Sequence, residues 1–131
     1  DILNKKSGVQ GMSGLAPDFR EIENASNNGD ERALTAMNHF KYEVAAYIAK
    51  CAVAMNGVDA IVFTGGVGEN QIKIREGICK NLEFMGVNID EERNNVRSEE
   101  QLISKDSSKV KIYVIPTNEE LVIARETKRL I

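Results

Sequence analysis

The chain contains little of what common metal and nucleic-acid sites require. Its 131 residues include one histidine, two cysteines and no tryptophan. This composition argues against a zinc site, which needs several clustered His or Cys ligands. The net charge of −3 leaves no basic surface for nucleic acid. No apolar run approaches the length of a transmembrane helix and no signal peptide is visible, so no membrane partner is expected.

What is present is the composition of an ordinary globular domain. Hydrophobic residues make up 42% of the chain and charged residues 28%, and 131 residues are enough for one domain with a core. Cys51 and Cys79 both fall in helical patterns. We expect both to be reduced core residues of a cytoplasmic protein, with a disulfide as the alternative. The chain begins at Asp1 rather than Met, which predicts a piece of a longer protein.

One stretch, DAIVFTGGVGENQ, organises the rest of the chain. It predicts a buried strand over Asp59–Thr64, a glycine turn over Gly65–Asn70 and a helix from Gln71 to about Leu82. Such a turn can present backbone N–H groups to an anion or a nucleotide. The motif is neither a Walker A loop nor a Rossmann fingerprint, since Gln71 occupies the position of the third glycine. A tight turn without a ligand remains the alternative.

The residues before this stretch predict mainly helices. Ser7–Gly14 is glycine-rich and predicts a loop or a bent edge strand, whereas Asp18 is a predicted N-cap of a short helix. Glu31–Asn56 predicts the longest helix, with apolar stripes on two sides that indicate burial on more than one side in its later half. His39 on this helix is interpreted as a surface residue. The first stripe contains Leu34, Met37, Val44, Ile48, Cys51 and Met55, and the second contains Ala33, Phe40, Tyr47 and Ala54.

The residues after the stretch predict a second central strand, Lys109–Ile115, with a short edge strand near residues 102–104. A final helix follows, in which Thr117 and Glu120 fit a capping box. Glu119 is then free, either as a metal-associated carboxylate or as a partner of the helix dipole. The inward face of this helix is expected to contain Leu121, Ala124 and Leu130.

The two strands predict a shared ligand crevice if they run parallel. Parallel strands end at one edge of a sheet, and α/β proteins bind ligands at that edge. The glycine turn and Glu119 would then lie side by side.

Four segments together resemble the C-terminal part of the acetate kinase family: SGVQGMSGLAPDFREIE, DAIVFTGGVGEN, LEFMGVNIDEERN and VIPTNEELVIARET. The resemblance covers essentially the whole chain. It implies an α/β, ribonuclease H-like fold with a mixed sheet flanked by helices, as in sugar kinases, actin and heat-shock chaperone ATPases. Residues 1–131 would be the C-terminal nucleotide-binding domain of a longer two-domain chain, with ATP in the cleft between domains.

The resemblance also implies roles for individual residues. Asp18, Phe19 and Arg20 are expected to contact ATP or ADP, and Glu119 is expected to be a magnesium-site residue. The glycine segment is expected to lie on the adenosine side of the nucleotide, through Gly66, Val67, Gly68, Glu69 and Asn70.

Enzymes of this family transfer phosphate reversibly between ATP and acetate with Mg²⁺, giving acetyl phosphate and ADP, and are usually cytoplasmic homodimers. Their acetate pocket, catalytic groups and phosphate-binding loop match nothing in this chain and lie upstream of its start. No catalytic residue is therefore assigned here, and the 131 residues alone are expected to be inactive and to bind nucleotide weakly. A propionate or butyrate kinase and a non-catalytic dimerisation or nucleotide-sensing module are the alternatives.

Overall fold

The computed structural model describes residues 2–131, apart from the side chains of residues 4 and 5. A 3₁₀ turn, Glu83–Met85, lies between the sixth helix and the second strand. In chain order the elements are α1 (Ile2–Lys5), α2 (Gly8–Ser13), α3 (Phe19–Asn27), α4 (Glu31–Ala54), β1 (Ala60–Phe63), α5 (Gly65–Asn70), α6 (Ile72–Lys80), β2 (Gln101–Leu102), β3 (Lys111–Val114) and α7 (Glu119–Leu130).

The three strands form one mixed sheet in the order β1-β3-β2. Strands β1 and β3 are parallel, with Ala60 opposite Lys111 and Phe63 opposite Val114, and β2 is antiparallel to β3. The predicted α/β class and the parallel pairing are confirmed. Within the described residues, β1 lies at the edge of the sheet rather than at its centre, so one side of this strand has no neighbour.

The hydrophobic core joins the sheet to α3, α4 and α6. Alternate residues of β1 and β3 point into it, because successive side chains of a strand face opposite sides of the sheet. Cys79 is in this core, as predicted. The principal core residues of the two strands and of the α6 region are Ile61, Phe63, Ile112, Val114, Ile74, Ile78 and Leu82.

Helix α4 has the predicted position, with Asp30 accepting hydrogen bonds from the N–H groups of Arg32 and Ala33. Its buried face differs from the prediction. Alanines dominate that face, because small side chains allow α2, α3 and α6 to pack closely. Several larger residues of the predicted stripes are exposed instead: Leu34 (48%), Tyr47 (65%), Met55 (64%) and Cys51. Cys51 is therefore not the core residue that was expected.

Two glycine-rich segments form helices where turns or loops were predicted. Ser7–Gly14 contains helix α2, which packs against α4 and ends at Gly14 with a φ of 76°. The glycine turn is helix α5. Glycine disfavours helices by about 1 kcal/mol per residue relative to alanine, and tertiary contacts outweigh that preference here.

Helix α7 is the largest departure from the sequence prediction. All its residues are exposed, including Leu121, Ala124 and Leu130, which were expected to face inward. Within residues 2–131 no other element covers its apolar side. No helix in this part of the chain combines the length and apolarity needed to cross a bilayer.

Candidate functional site at the carboxyl edge of the sheet

The segment after β1 is a six-residue helix held between the sheet and α6. Thr64 is extended, and Gly65 then takes a φ of 69°, a conformation that favours glycine. The helix α5 begins at Gly65 and ends at Asn70. The chain therefore turns sharply at the carboxyl edge of β1, where the sequence places the candidate ligand site.

After Gly65, helix α5 contains two more glycines, which are required for different reasons. A Cβ atom on Gly68 would lie 3.2 Å from the carbonyl carbon of Phe63, so this residue allows α5 to pack on the end of β1. A Cβ atom on Gly66 would meet nothing within 4 Å. Gly66 is also exposed, and it is therefore the glycine of this helix that leaves backbone open to a ligand.

We expect Gly68→Val to lower the free energy of unfolding by about 1–3 kcal/mol, because the added side chain would overpack against the backbone of Phe63. Gly66→Val is the matched control and should change that free energy by less than about 1 kcal/mol, since its Cβ points into open space. Urea unfolding of both variants measures the difference. Equal losses would contradict the packing role of Gly68.

Glu69 connects α5 to the segment that follows β3 through hydrogen bonds. Its Oε1 accepts hydrogen bonds from the N–H of Gly65 (2.8 Å), the N–H of Thr117 (2.8 Å) and the hydroxyl of Thr117 (3.0 Å). The residue is only 8% exposed. The N–H of Thr117 is the main cause that holds the pKa of the Glu69 carboxyl below its ordinary value. The side chain of Glu69 is thus committed to a contact within the protein.

The start of α7 explains why Thr117 is available for this contact. The predicted capping box was wrong, because the N-cap is Asn118, whose side-chain oxygen accepts a hydrogen bond from the N–H of Leu121 at 2.9 Å. Asn is a better N-cap than Thr, but both are favoured at this position, so local sequence allows either of the two adjacent residues. The contact with Glu69, 48 residues earlier in the chain, makes the choice.

Arg75 is the important residue that sequence reasoning missed. It is fully buried, and its guanidinium group donates five hydrogen bonds of 2.7–2.9 Å. Burial lowers the pKa of this guanidinium, yet arginine remains charged in proteins. An arginine on the apolar face of a predicted helix was the available signal. Its acceptors are the carbonyl oxygens of Gly68, Glu69, Asn94 and Val96, and the side-chain oxygen of Asn94.

Asn70 is likewise held by the protein. Its side-chain nitrogen donates to the carbonyl of Gly66 at 3.1 Å, and its side-chain oxygen accepts from the hydroxyl of Ser98 at 2.9 Å. Arg97 donates to the carbonyl oxygen of Asn70 at 2.8 Å. Val67 packs against the core. Among the five residues assigned to the nucleotide in this segment, Gly66 therefore offers the most open surface.

The Asp18–Arg20 segment begins α3. Asp18 is the predicted N-cap and accepts hydrogen bonds from the backbone N–H of Arg20 (2.9 Å) and from its guanidinium (2.7 Å). The side-chain bond to Arg20 is the main cause that lowers the pKa of the Asp18 carboxyl to about 2. Phe19 packs on Phe40, with ring centroids 4.6 Å apart. Among the described residues, no hydrogen bond or ion pair joins this segment to residues 66–70.

Glu119 lies in the first turn of α7, two residues after Thr117, and is exposed. No group of three or more potential metal ligands occurs among residues 2–131. Mg²⁺ usually keeps several waters and binds one or two carboxylates together with substrate phosphates, so a single exposed carboxylate is compatible with it. The parallel strands and the Glu69–Thr117 contact bring the predicted glycine segment and the residues before Glu119 to one edge.

Comparisons with known proteins identify the family of the chain. Residues 1–125 match the model of the acetokinase family. The chain is 59% identical, over its full length, to an acetate kinase of Carboxydothermus hydrogenoformans and 56% identical to one of Lachnoclostridium phytofermentans. The crystal structure of Porphyromonas gingivalis acetate kinase superposes with a TM-score of 0.91 at 50% identity, covering 98% of this chain and 32% of that one.

The chain spans about a third of the relatives that it matches, 33% in both curated proteins. The structural likeness confirms the predicted fold class, and the family match confirms the resemblance seen in the four sequence segments. Because the family model matches residues 1–125 of the 131, the chain belongs to the acetokinase family.

Proposed function

We propose that residues 1–131 are the C-terminal third of an acetate kinase, which transfers phosphate reversibly between ATP and acetate to give acetyl phosphate and ADP. The observation that carries this proposal is the 59% identity, over the whole chain, to a protein named acetate kinase. The catalytic groups and the acetate pocket would lie in the other two thirds of the polypeptide. The 131 residues alone should therefore not turn over substrate.

In this proposal the carboxyl edge of the sheet contributes one wall of the nucleotide cleft. Gly66 supplies open backbone next to the ligand, and Asp18, Phe19 and Arg20 supply contacts from the start of α3. Glu119 would hold Mg²⁺ together with waters and phosphate oxygens. The metal, when bound, would neutralise charge on the transferred phosphate. Glu69 and Asn70 would act mainly by holding the shape of this wall, since their side chains bond to the protein.

The exposed apolar surfaces support a longer polypeptide. A groove of about 540 Å³ lies between the later half of α4 and the free edge strand β1, and Tyr47, Met55 and Val62 are among its lining residues. Unpaired strand edges and apolar grooves are usually covered in a finished protein. We propose that the remaining two thirds of the polypeptide cover this groove and the apolar side of α7.

The two cysteines test that proposal, because Cys51 lines the groove and Cys79 is buried in the core. Burial raises the pKa of the Cys79 thiol to about 12, so it should react with iodoacetamide only after unfolding. In the 131-residue chain, Cys51 should react in the native state. In the full-length polypeptide it should be protected. Mass spectrometry of the alkylated peptides distinguishes the two, and equal reactivity of Cys51 in both forms would contradict the covered groove.

Propionate is the alternative acyl substrate. The chain superposes with a TM-score of 0.89, at 42% identity, on the crystal structure of a propionate kinase from Francisella tularensis. The acyl pocket would lie outside these residues, so they do not choose between the two acids. The decisive experiment is an assay of the full-length enzyme with ATP and acetate, propionate or butyrate. The highest kcat/KM with acetate supports the proposal, and a preference for a longer acid or no kinase activity refutes it.

The family resemblance extends the proposal to a cytoplasmic homodimer. The exposed later half of α4 is compatible with a second copy as well as with the rest of the polypeptide. Sedimentation of the full-length protein measures the oligomeric state. A non-catalytic sensing module would be favoured instead if the gene encoded these residues without an upstream catalytic half.

A further inference from the structure

We infer that Glu69 and Thr117 are positioning residues that hold the start of α7, and with it Glu119, in a fixed place. That place is fixed relative to the carboxyl edge of the sheet, the proposed wall of the nucleotide cleft. This inference rests on the proposed function, because it assigns a purpose to the contact between two segments of the proposed site. It differs from that function in giving Glu69 no direct contact with the nucleotide. The carboxylate would act through Thr117.

The contact has the geometry of a clamp between helix α5 and the segment that precedes α7. One oxygen, Oε1 of Glu69, accepts hydrogen bonds from Gly65 at the start of α5 and from both donors of Thr117. Hydrogen bonds to an ionised acceptor are shorter and about twice as strong as those between neutral groups. The clamp thus joins the two segments that follow the parallel strands β1 and β3.

Little else in the described chain holds this end of α7. Every residue of the helix is exposed, and the bonds of Asn118 stay within the helix itself. Among the described residues, the hydrogen bonds between Thr117 and Glu69 are the ones that tie residues 116–120 to another element. Ile115 is bonded to Phe63 at 3.0 Å, but it lies four residues before Glu119. The clamp therefore determines where the first turn of α7 begins.

The other end of the clamp is rigid. Arg75 donates 2.9 Å hydrogen bonds to the carbonyl oxygens of Gly68 and Glu69, which fixes the backbone that carries the Glu69 side chain. Arg75 is fully buried, so water does not compete for these bonds. The backbone of α5 is held rigidly by Arg75, whereas the start of α7 has no other support among the described residues. The position of Glu119 therefore depends on the carboxylate of Glu69. Outer partners of a metal site commonly change metal affinity 10–100-fold when they are removed.

The test uses Thr117→Val in the full-length enzyme, because valine keeps the branched shape and the backbone N–H but removes the hydroxyl donor. Isothermal titration calorimetry gives the Kd of ADP with and without Mg²⁺, and the ratio measures how much the metal strengthens binding. We expect this ratio to fall about tenfold. The Kd of ADP without metal should stay within about twofold of the original value. Thr117→Ser, which keeps the hydroxyl, should restore the ratio.

Thr127→Val is the matched control, since the Thr127 hydroxyl bonds to Ile123 within α7 at 2.8 Å. It should leave both affinities unchanged. A purely structural role predicts another pattern, in which Thr117→Val lowers Tm while the Mg²⁺ ratio is unchanged, and that pattern would overturn the inference. If the unsubstituted enzyme binds ADP, and Mg²⁺ strengthens ADP binding to Thr117→Val by the same factor, the positioning role alone is refuted. If the unsubstituted enzyme binds no ADP, both this inference and the proposed function are refuted.

Discussion

Arg75→Met is expected to lower the free energy of unfolding by about 3–5 kcal/mol. The substitution removes a buried guanidinium that donates five hydrogen bonds. The carbonyl oxygens of Gly68 and Val96 and the side-chain oxygen of Asn94 lose this donor, whereas the carbonyl oxygens of Glu69 and Asn94 keep the N–H groups of Ser98 and Val96. Each unsatisfied buried acceptor costs about 1–3 kcal/mol, and relaxation of the structure recovers part of the sum. Urea unfolding followed by circular dichroism measures the loss.

Arg97→Met is the matched control for Arg75. Arg97 is exposed and donates a hydrogen bond of 2.8 Å to the carbonyl oxygen of Asn70. Its replacement should cost less than about 1 kcal/mol, because water can replace an exposed donor. Arg75→Lys should fall between the two, since lysine keeps the charge but lacks the planar fork that reaches several acceptors. Similar unfolding midpoints for the methionine variants at positions 75 and 97 would show that the buried network is dispensable.

Glu119→Gln in the full-length enzyme is expected to lower kcat/KM for MgATP by about 100-fold, which corresponds to about 2.7 kcal/mol of transition-state stabilisation. The amide keeps the size of the side chain but removes the charge that would hold Mg²⁺. The Mg²⁺ concentration for half-maximal rate should rise at the same time. Initial rates over a range of Mg²⁺ and ATP concentrations measure both effects.

Glu120→Gln provides the comparison for Glu119. Both residues are exposed and lie in the first turn of α7, so both interact with the positive end of the helix dipole. A dipole role alone predicts similar, small effects at the two positions. A metal role predicts a large loss at position 119 and less than about threefold at position 120. Equal effects would remove the metal assignment of Glu119.

The sequence predicted the elements whose signals are local. The side chain of Asp30 identifies the start of α4, and that of Asp18 identifies the start of α3, because an N-cap residue bonds to N–H groups two or three positions later. The β-branched runs identified β1 and β3. Their common direction was an inference from topology, and the structure confirms it.

Two of the predictions that failed concern packing partners distant in the chain. Cys51 and Tyr47 lie on apolar stripes that look buried in sequence, yet the alanine face of α4 is the one that meets α2, α3 and α6. Leu121 and Leu130 of α7 look like an inward face, but the described residues contain no surface for them to contact. An apolar pattern indicates that a face will be covered without indicating which segment covers it.

By itself, the sequence determined the family, the order of the longer helices and the two parallel strands, and the two segments that meet at the sheet edge. Only the tertiary structure decided what Glu69, Thr117 and Arg75 do there. Glu69 reads as a ligand-binding residue in its motif and Thr117 as a helix cap, but their mutual bond spans 48 positions of the chain. Propensity and motif depend on neighbours a few residues away, whereas the partners of a buried charge are set by which distant backbone atoms the fold brings within about 3 Å.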